Sequence, residues 1–289
     1  MDETILLDNV HKSFGSVQAV NGLTMSVEPG TVVGFLGLNG AGKTTAIRLL
    51  AGLLRPDKGL VAILGHESWT LPPEIRRRIG YLSERGFPYD MILGDAASFT
   101  SKFHPTWDLR YFLSLVDLLK VPSDVAYSRL SRGAQRKFQL ALALAPRPEV
   151  LLLDDPALGL DVAVRREFIE SILPLLQEQK STVLFSSHIF SDVERIADSV
   201  AILHAGRLLL HEPLDQLKEE AKQIVVSGAE PPSIPGTLRR MKRGGETRIT
   251  ALNPDPAALE NLRRSGAVVD VAPIALEQLF LDIVAEAGP

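Results

Sequence analysis

Eight consecutive residues, Gly37-Leu38-Asn39-Gly40-Ala41-Gly42-Lys43-Thr44, constrain this chain more than any other stretch. Before them runs Val32-Val33-Gly34-Phe35-Leu36, a short apolar segment bounded by Pro29-Gly30, which reads as a buried strand. After them comes a helical pattern over 44–54, stopped at Arg55-Pro56. Strand, glycine-rich turn and helix in that order give the pattern G-x-x-x-x-G-K-[ST] its structural context. The glycines let the backbone curl so that its amides point inward. At the start of a helix those amides face phosphate with the positive end of the helix dipole. Lys43 then reaches the β- and γ-phosphates, and the Thr44 hydroxyl is placed to ligate Mg²⁺. Chance yields the pattern in about 1% of chains this long, so a glycine turn without chemistry is the weaker reading.

The rest of the chain extends that fragment into an α/β fold. Val150-Leu151-Leu152-Leu153, Thr182-Val183-Leu184-Phe185-Ser186 and Val200-Ala201-Ile202-Leu203 read as further buried strands. Helical patterns over 165–179, with an irregularity at Pro174, and over 189–198 separate them. Buried strands alternating with helices predict a parallel sheet covered on both faces. Between Leu82 and Ala145 the strands disappear and helical spacing takes over, with Leu109, Phe112, Leu113, Val116 and Leu119 as its apolar stripe. We expect a helical subdomain inserted at about 84–145 of a larger α/β domain, 1–222. After Pro231-Pro232-Ser233-Ile234-Pro235-Gly236, strands over 247–252 and 267–272 flank a helix over 256–265, and a helix over 276–286 closes the chain. Residues 223–289 thus read as a small α+β appendage. Asp154, directly after the 150–153 strand, places a carboxylate at the sheet edge where Mg²⁺ sits.

Composition narrows the functions. Acidic residues outnumber basic ones, 35 to 31, for a net charge of −4, against a dedicated nucleic-acid binder. No cysteine is present, which excludes disulfides, thiolate zinc sites and iron–sulfur clusters. Met1-Asp2-Glu3-Thr4-Ile5 lacks the basic start and apolar stretch of a signal peptide. The most apolar run, around 138–145, is far short of the roughly 20 residues a bilayer requires. The expectation is a soluble chain whose membrane role comes through a partner.

At this point the residues resemble the ABC ATPase family over nearly the whole chain. Leu130-Ser131-Arg132-Gly133-Ala134-Gln135 is similar to the signature segment L-S-G-G-Q, and a helix over 136–144 separates it from the aspartate strand. Gly159-Leu160-Asp161 matches the Asp loop, His188 in Ser186-Ser187-His188 the switch histidine, and Phe14 the adenine-stacking aromatic. Each has a plainer reading alone: Phe14 as core, His188 as a structural histidine, Ser131 as a helix cap. Their order and spacing outweigh it. The runs Arg76-Arg77-Arg78 and Arg239-Arg240-Met241-Lys242-Arg243 read as solvated faces. Tyr81-Leu82-Ser83-Glu84, Phe103-His104-Pro105-Thr106-Trp107-Asp108 and Leu276-Glu277-Gln278-Leu279-Phe280-Leu281 resemble segments of the ABC-2-type export branch.

The resemblance implies an α/β P-loop core with a parallel sheet, an antiparallel β N-terminal subdomain, the inserted helical subdomain and the small appendage. It implies ATP and Mg²⁺ bound by Phe14, Gly37, Asn39, Gly40, Ala41, Gly42, Lys43, Thr44, Thr45, Glu84, Ser131, Gly133 and Asp161. Thr44, Asp154 and Glu84 would serve the metal, and Lys43, Asp155 and His188 hydrolysis. It also implies a head-to-tail dimer with a second ATPase subunit, transmembrane permease subunits docked near Glu84, and a place on the cytoplasmic membrane face. Two positions depart from the family: Asp155 stands where a catalytic Glu is usual, one methylene shorter, and Arg132 replaces a small residue or Lys in the signature. A non-transport ABC ATPase and an importer subunit remain as alternatives. Neither a coiled-coil insertion nor a second ATPase half is visible, and importers usually keep Gln at the Glu84 position.

Overall fold

The computed structural model describes residues 3–228, 231–264 and 267–288. It opens with two long strands, β1 (Ile5–Phe14) and β2 (Val17–Val27), joined at Gly15-Ser16 and paired antiparallel from Ile5↔Val27 to Phe14↔Val17. Their inward residues, among them Ile5, Leu7, Val10, Leu23, Met25 and Val27, are buried. Next come β3 (Val32–Leu36), α1 (Lys43–Leu50), β4 (Lys58–Ile63), β5 (His66–Glu67), α2 (Pro73–Arg76) and β6 (Ile79–Leu82). Strands β4 and β5 complete an antiparallel sheet ordered β2-β1-β4-β5, the N-terminal β subdomain that the family resemblance implied.

Three helices follow: α3 (Leu93–Ser101), α4 (Leu109–Leu119) and α5 (Arg132–Leu144). The chain then alternates through β7 (Val150–Leu153), α6 (Val162–Gln179), β8 (Thr182–Ser187), α7 (Phe190–Ile196), β9 (Ser199–His204), β10 (Arg207–Pro213) and α8 (Leu214–Glu220). The second sheet is ordered β10-β9-β3-β8-β7-β6, parallel throughout except for β10 at its edge. Its alternate residues serve two cores. Val33, Phe35, Val150, Leu152 and Leu184 pack with α1 and the N-terminal sheet. Leu36, Leu151, Leu153, Val183 and Phe185 pack toward α5, α6 and α7. Both faces are covered, so continuous apolar strands such as Val150–Leu153 cost nothing in exposed surface.

The segment from Ala221 onward builds a third sheet from β11 (Ala221–Ser227), β12 (Thr237–Arg243), β13 (Glu246–Leu252) and β14 (Val268–Pro273), ordered β12-β13-β11-β14, with α9 (Pro256–Arg264) between the last two strands. Ile224, Val226, Ile249, Ala251, Leu259 and Leu262 form its own core. The expected end of α9 at Ser265 lies outside the described residues. The closing helix, α10 (Leu276–Ala287), buries Leu276, Leu279, Phe280 and Ile283 in the main core, not in the appendage's own. The His204 ring nitrogen Nε2 lies 2.8 Å from the carbonyl of Gly288, pinning the chain's end to β9.

Three expectations need correction. On α4 the buried face is Tyr111, Phe112, Leu115 and Leu119, whereas Leu109 and Leu113 are 59% and 52% exposed. Asp108 caps this helix by accepting from the amides of Arg110 and Tyr111, and the turn so fixed presents the 112/115/119 stripe to the core. Helix α6 runs through Pro174 unbroken and starts at Val162, three residues before the expected 165, because Asp161 caps it. The packing of Phe168, Ile169, Ile172, Leu175 and Leu176 holds it together despite the lost backbone donor. The basic runs are not merely solvated: Arg78 grips Glu149 with two bonds of 2.5 and 2.6 Å, and Arg239 lies 2.9 Å from the buried Asp282. Among the described residues no helix is long and apolar enough to cross a membrane.

Candidate functional site

Strand β3 ends at Leu36, and the loop that follows turns back before α1. Gly40 and Gly42 sit in the left-handed region, at φ of 83° and 104°. A side chain at Gly42 would put its Cβ 2.3 Å from the Ala19 carbonyl oxygen, so only glycine fits that turn. The loop closes around the Lys43 amine, which donates to the carbonyls of Gly37, at 2.6 Å, and Leu38, at 3.1 Å. Burial lowers the Lys43 proton affinity, opposed by Asp155, Asp154 and Glu84 nearby.

Beside this loop opens a cavity of about 440 Å³, lined by Asn39, Gly40, Ala41, Gly42, Lys43, Thr44, Thr45, Glu84 and Asp155, with Val17, Ala19, Leu158 and Ser186. Parallel strands deliver its acidic wall. Asp154 follows β7 and is fully buried; its Oδ1 accepts from the Thr44 hydroxyl at 2.8 Å and from the Ser186 hydroxyl at 3.3 Å. Its Oδ2 is buried with no hydrogen-bond partner. Burial pushes the Asp154 carboxyl up, with the Thr44 hydroxyl pulling the other way. A buried, unpartnered carboxylate oxygen beside a threonine hydroxyl is a donor set that fits Mg²⁺, which takes one or two protein oxygens and leaves the rest to phosphate and water. No cluster of three or more His, Cys, Asp or Glu able to hold a metal occurs among the described residues, so phosphate would have to complete the shell.

Asp155 takes φ 45°, a left-handed conformation that Asp tolerates better than longer side chains because its short carboxylate bonds locally. Its amide donates to the Ser186 hydroxyl at 2.8 Å, and its Oδ2 lies 2.9 Å from Nδ1 of His188. An ionised carboxylate only accepts, so the pairing fixes Nδ1–H on the imidazole. Burial pushes the Asp155 carboxyl up, although His188, Lys43 and Arg136 pull it down. That direction brings a carboxylate nearer to the range useful to a general base.

Seven site residues proposed from the sequence lie outside this cavity's lining. Gly37, Asp154 and His188 reach it through bonds to Lys43, Thr44 and Asp155; Phe14, Ser131, Gly133 and Asp161 do not. Phe14 ends β1, 49% exposed, with the Lys12 amine 5.6 Å from its ring centre. Ser131 caps α5, accepting from the Ala134 amide, and Gly133 faces Val164 so closely that a Cβ there would lie 2.6 Å from Cγ1. Asp161 caps α6 through the Val164 amide. Two participants escaped the sequence reading. Ser186 bonds both aspartates, and its motif gave a signal only through its neighbour His188. Arg136, a buried cation in the first half of α5, donates to the carbonyls of Ser83 and Glu84 and so ties the Glu84 loop to the signature helix. Gln135-Arg136-Lys137 is polar throughout, so the sequence carries no signal that sets Arg136 apart.

Comparison with known proteins supplies the context. The ABC transporter family matches residues 20–158. The bacitracin transport ATP-binding protein BcrA of Bacillus licheniformis is 35% identical over 78% of this chain and 74% of its own length. A Nod factor export ATP-binding protein I of Burkholderia orbicola is 30% identical over 94% of both chains. Among solved structures, an ATP-binding subunit of an ABC transporter, 27% identical, superposes with a TM-score of 0.65 over 75% of this chain and 92% of that one. A dimeric ATP-binding cassette bound to ADP and Pi, 22% identical, has the same fold, with a TM-score of 0.65 over 73% of this chain and 98% of that one.

Proposed function

Since this chain belongs to the ABC transporter ATP-binding family, we propose that it is the ATP-hydrolysing subunit of an export machine whose membrane-spanning part is made of other chains. The export reading draws on relatives named for bacitracin transport and Nod factor export. The observation that carries the ATPase reading is the convergence on one cavity of the glycine loop with Lys43, the Thr44–Asp154 bond and the Asp155–His188 pair.

In this reading the loop amides of 39–45 and the Lys43 amine bind the β- and γ-phosphates. Thr44, Asp154 and Glu84 would hold Mg²⁺, which would supply positive charge to offset that of the phosphates. Asp155 accepts the proton of the attacking water, while His188 orients Asp155 and faces the γ-phosphate. Phe14 stacks on adenine. Ser131, Gly133 and Asp161 act on the site of a second ATPase subunit, identical or paralogous, which accounts for their lying outside this chain's own cavity. The separate third sheet supports a division near the proposed 1–222 and 223–289, although β11 begins at Ala221 and α10 returns to the main core. Permease subunits on the cytoplasmic membrane face would dock by the Glu84 loop and the helices of 84–145, where Leu109 and Leu113 leave apolar surface uncovered.

The test is Lys43→Ala. Removing the charge should weaken ATP binding and bring turnover to background, a loss of about 10²–10³-fold or more. Unchanged ATPase activity in the purified variant would overturn the assignment.

A further inference from the structure

His188 is held from behind as well as from the side. One residue, Ile189, separates it from α7, a helix of seven residues with no side-chain cap at its N-terminus. So short a helix has little stability of its own, and its position is set by what it packs against. Two contacts grip its first turn. Asp192, buried, lies 3.5 Å from Arg165 of α6. Phe190 presents its ring to Phe280 of α10, with centroids 5.1 Å apart and planes tilted by 60°. Phe280 is 1% exposed and belongs to the chain's closing helix, more than 90 positions beyond His188 in sequence. Val193 and Ile196 of α7 are buried in the same core as Phe280. Beside them a cleft of about 380 Å³, lined by His188, Ile189, Phe190, Glu194, Leu276 and Glu277, runs between the histidine loop and the start of α10. The ring pair joins the two elements at the edge of that cleft.

We propose that Phe280 is a positioning residue for ATP hydrolysis: through Phe190 it fixes the entry of α7 and so keeps the His188 imidazole 2.9 Å from Asp155. The inference rests on the reading of Asp155 and His188 as hydrolytic groups. It makes the C-terminal segment act on the rate of turnover and not on the capture of nucleotide. Phe280 does not line the phosphate cavity, whereas Asp155 does and His188 is bonded to Asp155.

The experiment compares steady-state ATP hydrolysis by the full chain carrying Phe280→Leu, Phe190→Leu or both, with Lys43→Ala in parallel. Leucine keeps apolar bulk and helix but removes the ring. Each single variant should lose about tenfold in kcat, since small misplacement of a catalytic group is costly. KM for ATP should stay within about twofold, and the double variant should lose no more than the worse single one. Wild-type kcat in either single variant would overturn the proposal. So would losses that multiply in the double variant, or a KM that rises with the fall in kcat. Should Phe280→Leu fail to fold, the half-buried Phe190→Leu decides by itself. Turnover surviving in Lys43→Ala would sink the ATPase reading, an outcome separate from any Phe280 result.

Discussion

Two buried aspartates, one beside the phosphate cavity and one on the closing helix, are held in opposite ways. Asp282, on α10, is 2% exposed and saturated: Arg239 donates at 2.9 Å, Gln278 at 3.0 Å, and the Thr250 hydroxyl donates to its other oxygen. Asp154, after β7, is fully buried but has only two hydroxyls on one oxygen and nothing on the other. A buried carboxylate with a cation and a full set of donors fastens elements together, here α10 to β12 and β13. One left short of partners is costly for the folded chain and has a donor set ready for a cation. The contrast separates a structural acid from a ligand-binding one without reference to any relative.

The widest gap between them should appear in turnover. Asp154→Asn keeps the shape and removes the charge, and hydrolysis should fall by about 10³-fold or more, as expected for losing a charge that organises the phosphates. Asp282→Asn should leave kcat within about threefold, because its partners are Arg239, Thr250 and Gln278 and none of them lines the phosphate cavity. Steady-state kinetics on the two purified variants decide the matter. Comparable losses in both would erase the distinction.

Next in size comes Asp155, which shares the acidic wall but has a cationisable partner. Asp155→Asn should lower kcat by about 10²–10³-fold, within the usual range for a general base, and should trap the ATP-bound dimer. Asp155→Glu should maintain or raise the rate, less any strain from placing a longer side chain at φ 45°. Equal rates in wild type and Asp155→Asn would remove Asp155 from the chemistry.

Stability should reverse the order of the two buried acids. Asp282→Ala strips three donors of their acceptor, Arg239 among them, and should cost about 2–3 kcal/mol in urea unfolding, with KM for ATP unchanged in the protein that remains folded. A loss below about 0.5 kcal/mol would mean that the Arg239 bond is solvated and idle.

How much of this was legible in the sequence follows from the range of the interactions. The phosphate loop and the strands Val32–Leu36 and Val150–Leu153 announce themselves because local backbone demands, glycine at positive φ and uninterrupted burial, dictate their residues. The face of α4 was misread because Leu109 and Leu113 are as apolar as the residues that pack, and only Asp108 and the neighbouring helices fix its rotation. The Arg239–Asp282 bond spans 43 positions, and the Phe190–Phe280 contact 90. No local pattern encodes such partners. A basic run looks the same whether it faces water or a buried acid.

The smallest predicted effect is also the most direct test of the unpartnered oxygen. Burial raises the Asp154 carboxyl above its ordinary value, so the folded chain binds that proton more tightly than the unfolded chain does. Stability therefore falls as pH rises from the ordinary aspartate value through the folded one, above which the penalty is complete. Asparagine at this position carries no charge and escapes the penalty. Asp154→Asn, inactive as an ATPase, should then melt higher than wild type at pH 7.5 in the absence of nucleotide and Mg²⁺. A gain of about 1 kcal/mol would read as about 2–4 °C in a chain of this size. The advantage should narrow as pH is lowered through the folded value toward the ordinary aspartate one, because wild type takes up its proton while the variant has none to gain. Adding ATP and Mg²⁺ should reverse the ranking, since only wild type offers the charged oxygen and is stabilised by binding. A variant that melts lower than wild type at pH 7.5 without ligand would show that the Asp154 charge is compensated within the fold, and the contrast with Asp282 would collapse.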